Sequence, residues 1–539
     1  MKIKRFGVAA IALAAAGALT LSGCATGGGG SSTKGSSSAI ITVNGTEPQN
    51  PLVPAITNEV GGGKILDSIF AGLVYYDALG APVNDVAESI TTDDAKNYTI
   101  KIKGDQKFTN GEKVTAKSFV DAWNYTSQAE GQTFAGSYFF SSIAGYEDAA
   151  AAKLTGLKVV DDTTFTVELS QSESDFPLRL GYSAFFPLPE AAFKDIAAFG
   201  ENPIGNGPYM FASDKAWAHN EKIELVANPD YNGDRKAQNG GVTFVLYSSE
   251  DASYADLLSG NLDILDSIPA SSLGSYQADL GDRAVNQPAA IFQSFTIPAR
   301  LPHFGGEEGR LRRAALSMAI NRDEITKVIF NETRTPAHDF TSPVIDGYSD
   351  SLAGSEVLKY NPDEAKKLWA KADAISPWTG TFQIGYNADS SHQAWVDAVT
   401  NGFKNVLGID ASGAPVPTFA EFRTSVTDRA IQTAFRTGWQ ADYPALYNFL
   451  GPLYGTGAGS NDGDYSNPEF DALLKKGLAE TDLKTANKVF QDAQVILLKD
   501  LPAIPLWYAT VNGGYGEAVS NVQFGWNSVP LYYEVTKSE

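Results

Sequence analysis

Two apolar periods run along this chain, one of two residues and one of three to four. Tyr98-Thr99-Ile100-Lys101-Ile102-Lys103 and Phe165-Thr166-Val167-Glu168-Leu169 alternate apolar with polar side chains, the pattern of half-buried strands. Between them Asn110-Gly111 marks a turn, and Thr115 stands where it can cap a helix carrying Phe119, Val120 and Trp123. From about Leu311 to Tyr508 the longer period takes over. Leu311, Ala315, Met318 and Ala319 share one helical face, and Asn321 with Glu324 predicts a second helix start. Asn361-Pro362-Asp363-Glu364 places a cap, a first-turn proline and two acids at the positive end of a helix dipole. Asn467-Pro468-Glu469 repeats the device before Phe470, Leu473 and Leu474. Short apolar strands such as Phe382-Gln383-Ile384-Gly385-Tyr386 lie between these helices, so the region reads as an α/β lobe.

The start of the chain follows a different pattern. Lys2, Lys4 and Arg5 precede an apolar stretch from Val8 to Leu21 and then Leu21-Ser22-Gly23-Cys24. That is the layout of a secretory signal peptide, with an apolar core shorter than the ~20 residues of a membrane span. Leu-Ser-Gly-Cys resembles the bacterial lipobox, which implies that Cys24, the only cysteine in 539 residues, is lipidated and heads the mature chain. Residues 1–23 are thus expected to be a lipoprotein signal peptide and 24–39 a flexible Gly/Ser tether, since that stretch has too little apolar surface to offset its ordering entropy.

The remaining body of roughly 500 residues exceeds the ~250–300 at which single cores stop growing, so at least two lobes are expected. A lone cysteine leaves no disulfide to staple them. The formal net charge of −22 and the absence of a basic patch argue against a nucleic-acid partner. Catalytic and metal chemistry find no footing either. The four histidines, His219, His303, His338 and His392, are scattered without metal-ligand spacing, and G-x-S-x-G is absent. Gly205-Asn206-Gly207 and Gly455-Thr456-Gly457 fail the phosphate-loop templates and read as turns. Asp462-Gly463-Asp464 departs from a calcium loop. No cofactor and no metal are expected and positive evidence for catalysis is nil, with an acidic pair among the 63 carboxylates left open as a glycosidase.

Several segments together resemble the extracytoplasmic solute-binding proteins of oligopeptide and dipeptide ABC importers. They are Ala87-Glu88-Ser89 with YTIKIKGDQKFTNGEKVTAKSFVDAW (98–123), NPIGNGPYMF (202–211), ELVANPDYNG (224–233), LLSGNLDILDSIP (257–269), LRRAALSMAINRDEI (311–325), NPDEAKKLWAKA (361–372), GWQADY (438–443), SNPEFDALL (466–474) and LPAIPLWY (501–508). They run collinearly through nearly all of the mature chain. The resemblance implies a two-lobed α/β fold of the periplasmic-binding-protein type with an extra subdomain inserted in the first lobe. On that pattern lobe I takes 40–85, 200–295 and 509–539, the inserted subdomain 86–199 and lobe II 296–508. It also implies a hinge at crossovers near 296 and 508.

The same resemblance implies the ligand and its holders. Short peptides would lie in the cleft with a free α-amino group on Asp442, because an ammonium removed from water needs a fixed carboxylate. Main-chain pairing would come from Asn58-Glu59-Val60 and from Gly438, Trp439, Gln440 and Ala441, with Trp439 as a wall. Gln440 stands where some relatives carry a cysteine. Arg436 and His392 are implied at the peptide carboxylate, with Arg429 a substitute for a basic position that reads Thr427 here. The implied partners are an ABC permease with its ATPase and a membrane reached through the Cys24 lipid, on the outer face of the cell membrane or the periplasmic side. The protein itself is expected to be monomeric. Oligosaccharides, a nickel complex, haem or glutathione in the same fold, and a surface receptor without transport, remain alternative readings.

Overall fold

The protein is described by a computed structural model, which covers residues 38–48, 50–57, 59–128, 136–146, 153–388, 390–417 and 419–538. Cys24, the signal and tether segments up to residue 37, and Asn58 lie outside the described residues. A mixed 12-stranded sheet forms the spine. From one edge it runs Ala411–Val416, Phe382–Asn387, Ala434–Gln440, Ala284–Thr296, Ala503–Tyr515, Ile264–Leu265, Ile40–Gly45, Gly241–Leu246, Lys222–Ala227 and Tyr209–Phe211, with Arg334–Pro336 and Trp217–Ala218 attached alongside. A separate four-stranded antiparallel sheet is built from Ala87–Thr91, Asn97–Ile102, Thr164–Glu168 and Leu157–Asp161.

The locally encoded elements form where the residue pattern puts them. Asn97–Ile102 buries Tyr98, Ile100 and Ile102 and exposes the side chains between them. The Asn321 side chain accepts from Glu324 N–H and its amide donates to the Glu324 carboxylate at 2.9 Å, a reciprocal cap that starts Arg322–Val328. The Asn361 and Asn467 side chains accept from first-turn N–H groups and so cap Pro362–Asp373 and Pro468–Ala479, each with proline in the first turn. At Ala116–Gln128 the bond runs in reverse, from Thr115 N–H to the Ser118 hydroxyl at 3.2 Å.

Two large apolar cores fill the molecule. One gathers Ile41, Leu66, Phe70, Trp123, Phe165, Phe185, Val242 and Phe244, and so merges the small sheet with the amino-terminal half of the large one. The other gathers Phe292, Phe295, Leu316, Trp395, Phe403, Phe449, Leu497 and Trp507. Ala284–Thr296 and Ala503–Tyr515 serve both cores, paired antiparallel from Ala284↔Gly514 to Thr296↔Ala503 with a register shift between Pro288 and Ile291. Ala289 belongs to the first core and Ala290 to the second, so on this strand the chain changes core several residues before 296. The division is not clean by sequence. Trp526 packs into the second core, and Tyr443 and Ala445 into the first.

Two features fix the Val60–Ile69 helix. Behind its carboxyl end, Gly205 and Gly207 pass so close that a methyl group on Gly205 would stand 1.9 Å from the Ile69 carbonyl oxygen. Asn206 between them exchanges two 3.0 Å bonds with the Ala71 main chain. Arg235 then donates to the carbonyls of Asp67 (2.8 Å) and Phe70 (2.9 Å) and pairs with buried Asp85 at 3.0 Å.

Candidate functional site

A cleft of about 1330 Å³, its open mouth included, lies where the Val60–Ile69 helix, the Val74–Tyr76 hairpin strand, the 181–186 turn, residues 440–442 and the 525–533 segment meet. Its walls are largely aromatic. Tyr76 meets Trp526 edge-on with ring centres 5.4 Å apart, and Tyr182 and Tyr533 face the same space. Gln440, at the end of Ala434–Gln440, donates its amide to the Asn527 carbonyl at 2.9 Å. Ala441 N–H then bonds Ala290 O at 2.9 Å, while Ala290 N–H bonds Trp526 O at 2.8 Å. One chain of hydrogen bonds thus ties three segments of the wall.

Asp442 follows directly, at the start of the connection to Leu446–Tyr454. Buried Asn448, in that helix's first turn, accepts from Asp442 N–H at 3.0 Å and donates to Asp442 Oδ2 at 3.0 Å. Burial pushes the Asp442 carboxyl up to about 6 against the pull of hydrogen bonds from Asn448 and Tyr182. Asp442 is therefore held in place by neutral donors, and among the described residues no cation stands beside it. Asp67 is a second carboxylate on the cleft, likewise pushed up to about 6 by burial, with the Arg235 charge opposing the shift.

The predicted site residues divide. Asp442, Gln440 and Ala441 line the cleft together with Glu59 and Val60. Glu59 and Val60 are not strand residues, however. Glu59 caps the helix, accepting from Gly62 N–H at 2.9 Å, and Val60 is its first residue. Trp439 does not form the wall, because its indole donates to Asn448 Oδ1 at 2.9 Å and its ring packs on the second core; Trp526 takes that place. Gly438 is exposed on Ala434–Gln440, away from the cleft lining. Arg436 donates to Asn387 at 2.9 Å and stacks over Phe419 and Phe422, and His392 accepts from the Trp395 indole at 3.1 Å before Gln393–Leu407. Neither lines the cleft. Asp462 and Asp464 are paired with Arg423, Arg429 and Arg300, which supply the counter-charges of that acidic loop. Among the described residues no His/Cys/Asp/Glu cluster is arranged for a metal ion, and no helix is long and apolar enough to cross a membrane.

Sequence reasoning missed Asp67, Tyr76, Tyr182 and Trp526. The signals present were the Tyr75-Tyr76 doublet and the aromatic run from Phe524 to Tyr533, which read equally well as core.

The family model described as bacterial extracellular solute-binding proteins, family 5, middle, matches residues 81–461. The periplasmic oligopeptide-binding protein OppA of Salmonella typhimurium is 28% identical over 484 residues, 87% of each chain. The oligopeptide-binding protein OppA of Bacillus subtilis is 26% identical over 519 residues, 91% of this chain and 92% of the other. The solved structure of the Escherichia coli murein tripeptide-binding protein MppA superposes with a TM-score of 0.79 at 21% identity, covering 94% of this chain and 100% of that one. This last likeness shows the fold, two α/β lobes about a cleft.

Proposed function

This chain belongs to the bacterial extracellular solute-binding proteins of family 5, and from that premise we propose that it captures short peptides by their free amino terminus and delivers them to an ABC permease. The family comprises substrate-binding proteins of transporters, not enzymes. The observation that carries the peptide reading is Asp442, a carboxylate held by Asn448 and Tyr182 in an aromatic cleft and lacking a cation of its own. A neutral sugar would leave that charge uncompensated, whereas a peptide ammonium compensates it. The relatives named above as oligopeptide- and tripeptide-binding support the same class. Lobe I is read as 40–85, 200–295 and 509–539 with 86–199 inserted, and lobe II as 296–508. They close by turning about the paired strands Ala284–Thr296 and Ala503–Tyr515.

The test is the pH dependence of affinity for tri-alanine by titration calorimetry, with N-acetyl-tri-alanine as control. Free Asp442 has its carboxyl raised to about 6, and a bound ammonium favours the ionised form and lowers it. Affinity is therefore expected to be level above about 6 and to fall up to tenfold per pH unit below it. It should fall again as the peptide amine loses its proton above about 8. The groups acting on Asp442 are Asn448, Tyr182, Tyr76, Tyr138 and Tyr443, the tyrosines all raised above their ordinary range; Asp67 on the same cleft is also raised to about 6, so the profile is repeated on Asp67→Asn, where Asp442 sets the acid limb. A flat profile, or equal binding of the acetylated peptide, removes the assignment.

The anchor belongs to the same reading. With Leu21-Ser22-Gly23-Cys24 processed as a lipobox, the body works as a monomer tethered on the outer side of the membrane. Cells labelled with radioactive palmitate should show label on the parent and none on Cys24→Ser, with the variant freed from the membrane fraction. Label retained by Cys24→Ser refutes the anchor.

A further inference from the structure

The α-ammonium of a peptide accounts for Asp442 and leaves Asp67 unaccounted for. Asp67 sits near the end of Val60–Ile69 and lines the cleft, and among the described residues no hydrogen bond reaches its carboxylate. The obvious counter-charges are committed elsewhere. Arg235 Nη1 donates to the Asp67 main-chain carbonyl rather than to its side chain, Nη2 goes to Phe70 O, and Nε goes to Asp85 at 3.0 Å. Lys64, one turn before Asp67 on the same helix, is bound to Asp266. Arg235 and Lys64 are the cations of the cleft lining, so each is spent on a carboxylate that does not line it. Asp67, Asp442, Tyr76 and Tyr182 all line this one cleft.

We propose that Asp67 is a second cation site, so that this cleft selects peptides carrying a basic side chain close to the free amino terminus. The inference rests on Asp442 as the holder of the α-ammonium. A lysine or arginine stem is apolar and its head is charged, so it can lie along the Tyr76 and Tyr182 rings with the head at Asp67. A neutral side chain there leaves a desolvated carboxylate unpaired, which is how a site rejects the ligand lacking the group.

Titration calorimetry near neutral pH with Lys-Ala-Ala and norleucyl-Ala-Ala, which share the stem and differ in the ammonium, tests this, with cadaverine as the free diamine. The parent is expected to bind Lys-Ala-Ala at least about tenfold more tightly than the norleucyl peptide, and Asp67→Asn to bring that ratio close to one. Equal affinities in the parent, or a ratio unchanged in Asp67→Asn, overturn the inference and leave peptide capture standing. Cadaverine bound as tightly as Lys-Ala-Ala overturns the peptide source of the second charge. Failure of both peptides to bind the parent removes the peptide reading along with it. The parent's own ratio decides the matter if the variant does not fold.

Discussion

Asp442→Ala should weaken the binding of a free tripeptide by ~3–5 kcal/mol, two to nearly four decades in Kd, as for other buried pairs broken on one side. The ligand ammonium would still be drawn out of water but would meet a methyl group. The loss should be specific, because the loop keeps its position. Asn448 Oδ1 accepts from the main-chain N–H of residue 442 and from the Trp439 indole, and neither bond uses the carboxylate. The empty protein should not lose stability. Its Asp442 carboxyl is raised by burial, so the ionised group opposes folding at neutral pH; this offsets the bonds that Asn448 and Tyr182 lose, and the melting temperature should shift little. Calorimetric titration alongside thermal unfolding of the empty protein separates the two effects. A variant that binds free and N-acetylated peptides as the parent does would falsify the role of Asp442.

The second large effect concerns stability. Arg235→Ala should cost ~3–5 kcal/mol in urea unfolding, because it strands Asp85, whose side chain is 1% exposed. Asp85 would retain the Tyr231 hydroxyl at 2.8 Å, and the carbonyls of Asp67 and Phe70 would lose their donors. Arg235→Lys should recover little, since one ammonium cannot span three acceptors held by a planar fork. The exposed pair Lys101–Glu88, with side chains 49% and 52% accessible, is the control, and its removal should change stability by less than about 1 kcal/mol. An Arg235→Ala loss as small as that would show that the buried pair does not hold the helix.

The parts of this fold legible from the chain are those whose cause is local. Asn361-Pro362, Asn467-Pro468 and the alternation at Tyr98–Ile102 each carry their reason within a few residues, and each forms where that reason puts it. The Val60–Ile69 helix was illegible because VGGGKILDSI opens on three glycines, poor helix formers. Packing accounts for two of them, while Gly63 faces open space. A methyl on Gly61 would meet the Thr46 hydroxyl at 2.3 Å, and one on Gly62 the Thr57 methyl at 2.5 Å. The continuity of Ala284–Thr296 was hidden by Pro288, which the sheet accommodates at the register shift beside it. At the site, nothing in the spacing around Asp442 marks it; only family likeness pointed there. Asp67, at a helical position among mixed neighbours, reads as surface until Lys64, one turn back, and Arg235, drawn from far along the chain, are seen to be bound to Asp266 and Asp85.

The central place of Ala503–Tyr515 in the sheet also bears on when the protein can work. This strand lies between Ala284–Thr296 and Ile264–Leu265, and the wall segment carrying Trp526 and Tyr533 follows it. A chain made amino end first therefore holds two unjoined sheet halves until Ala503–Tyr515 has been made, and the cleft lacks a wall until the segment through Tyr533 follows. A chain still short of that strand is expected to hold no ligand.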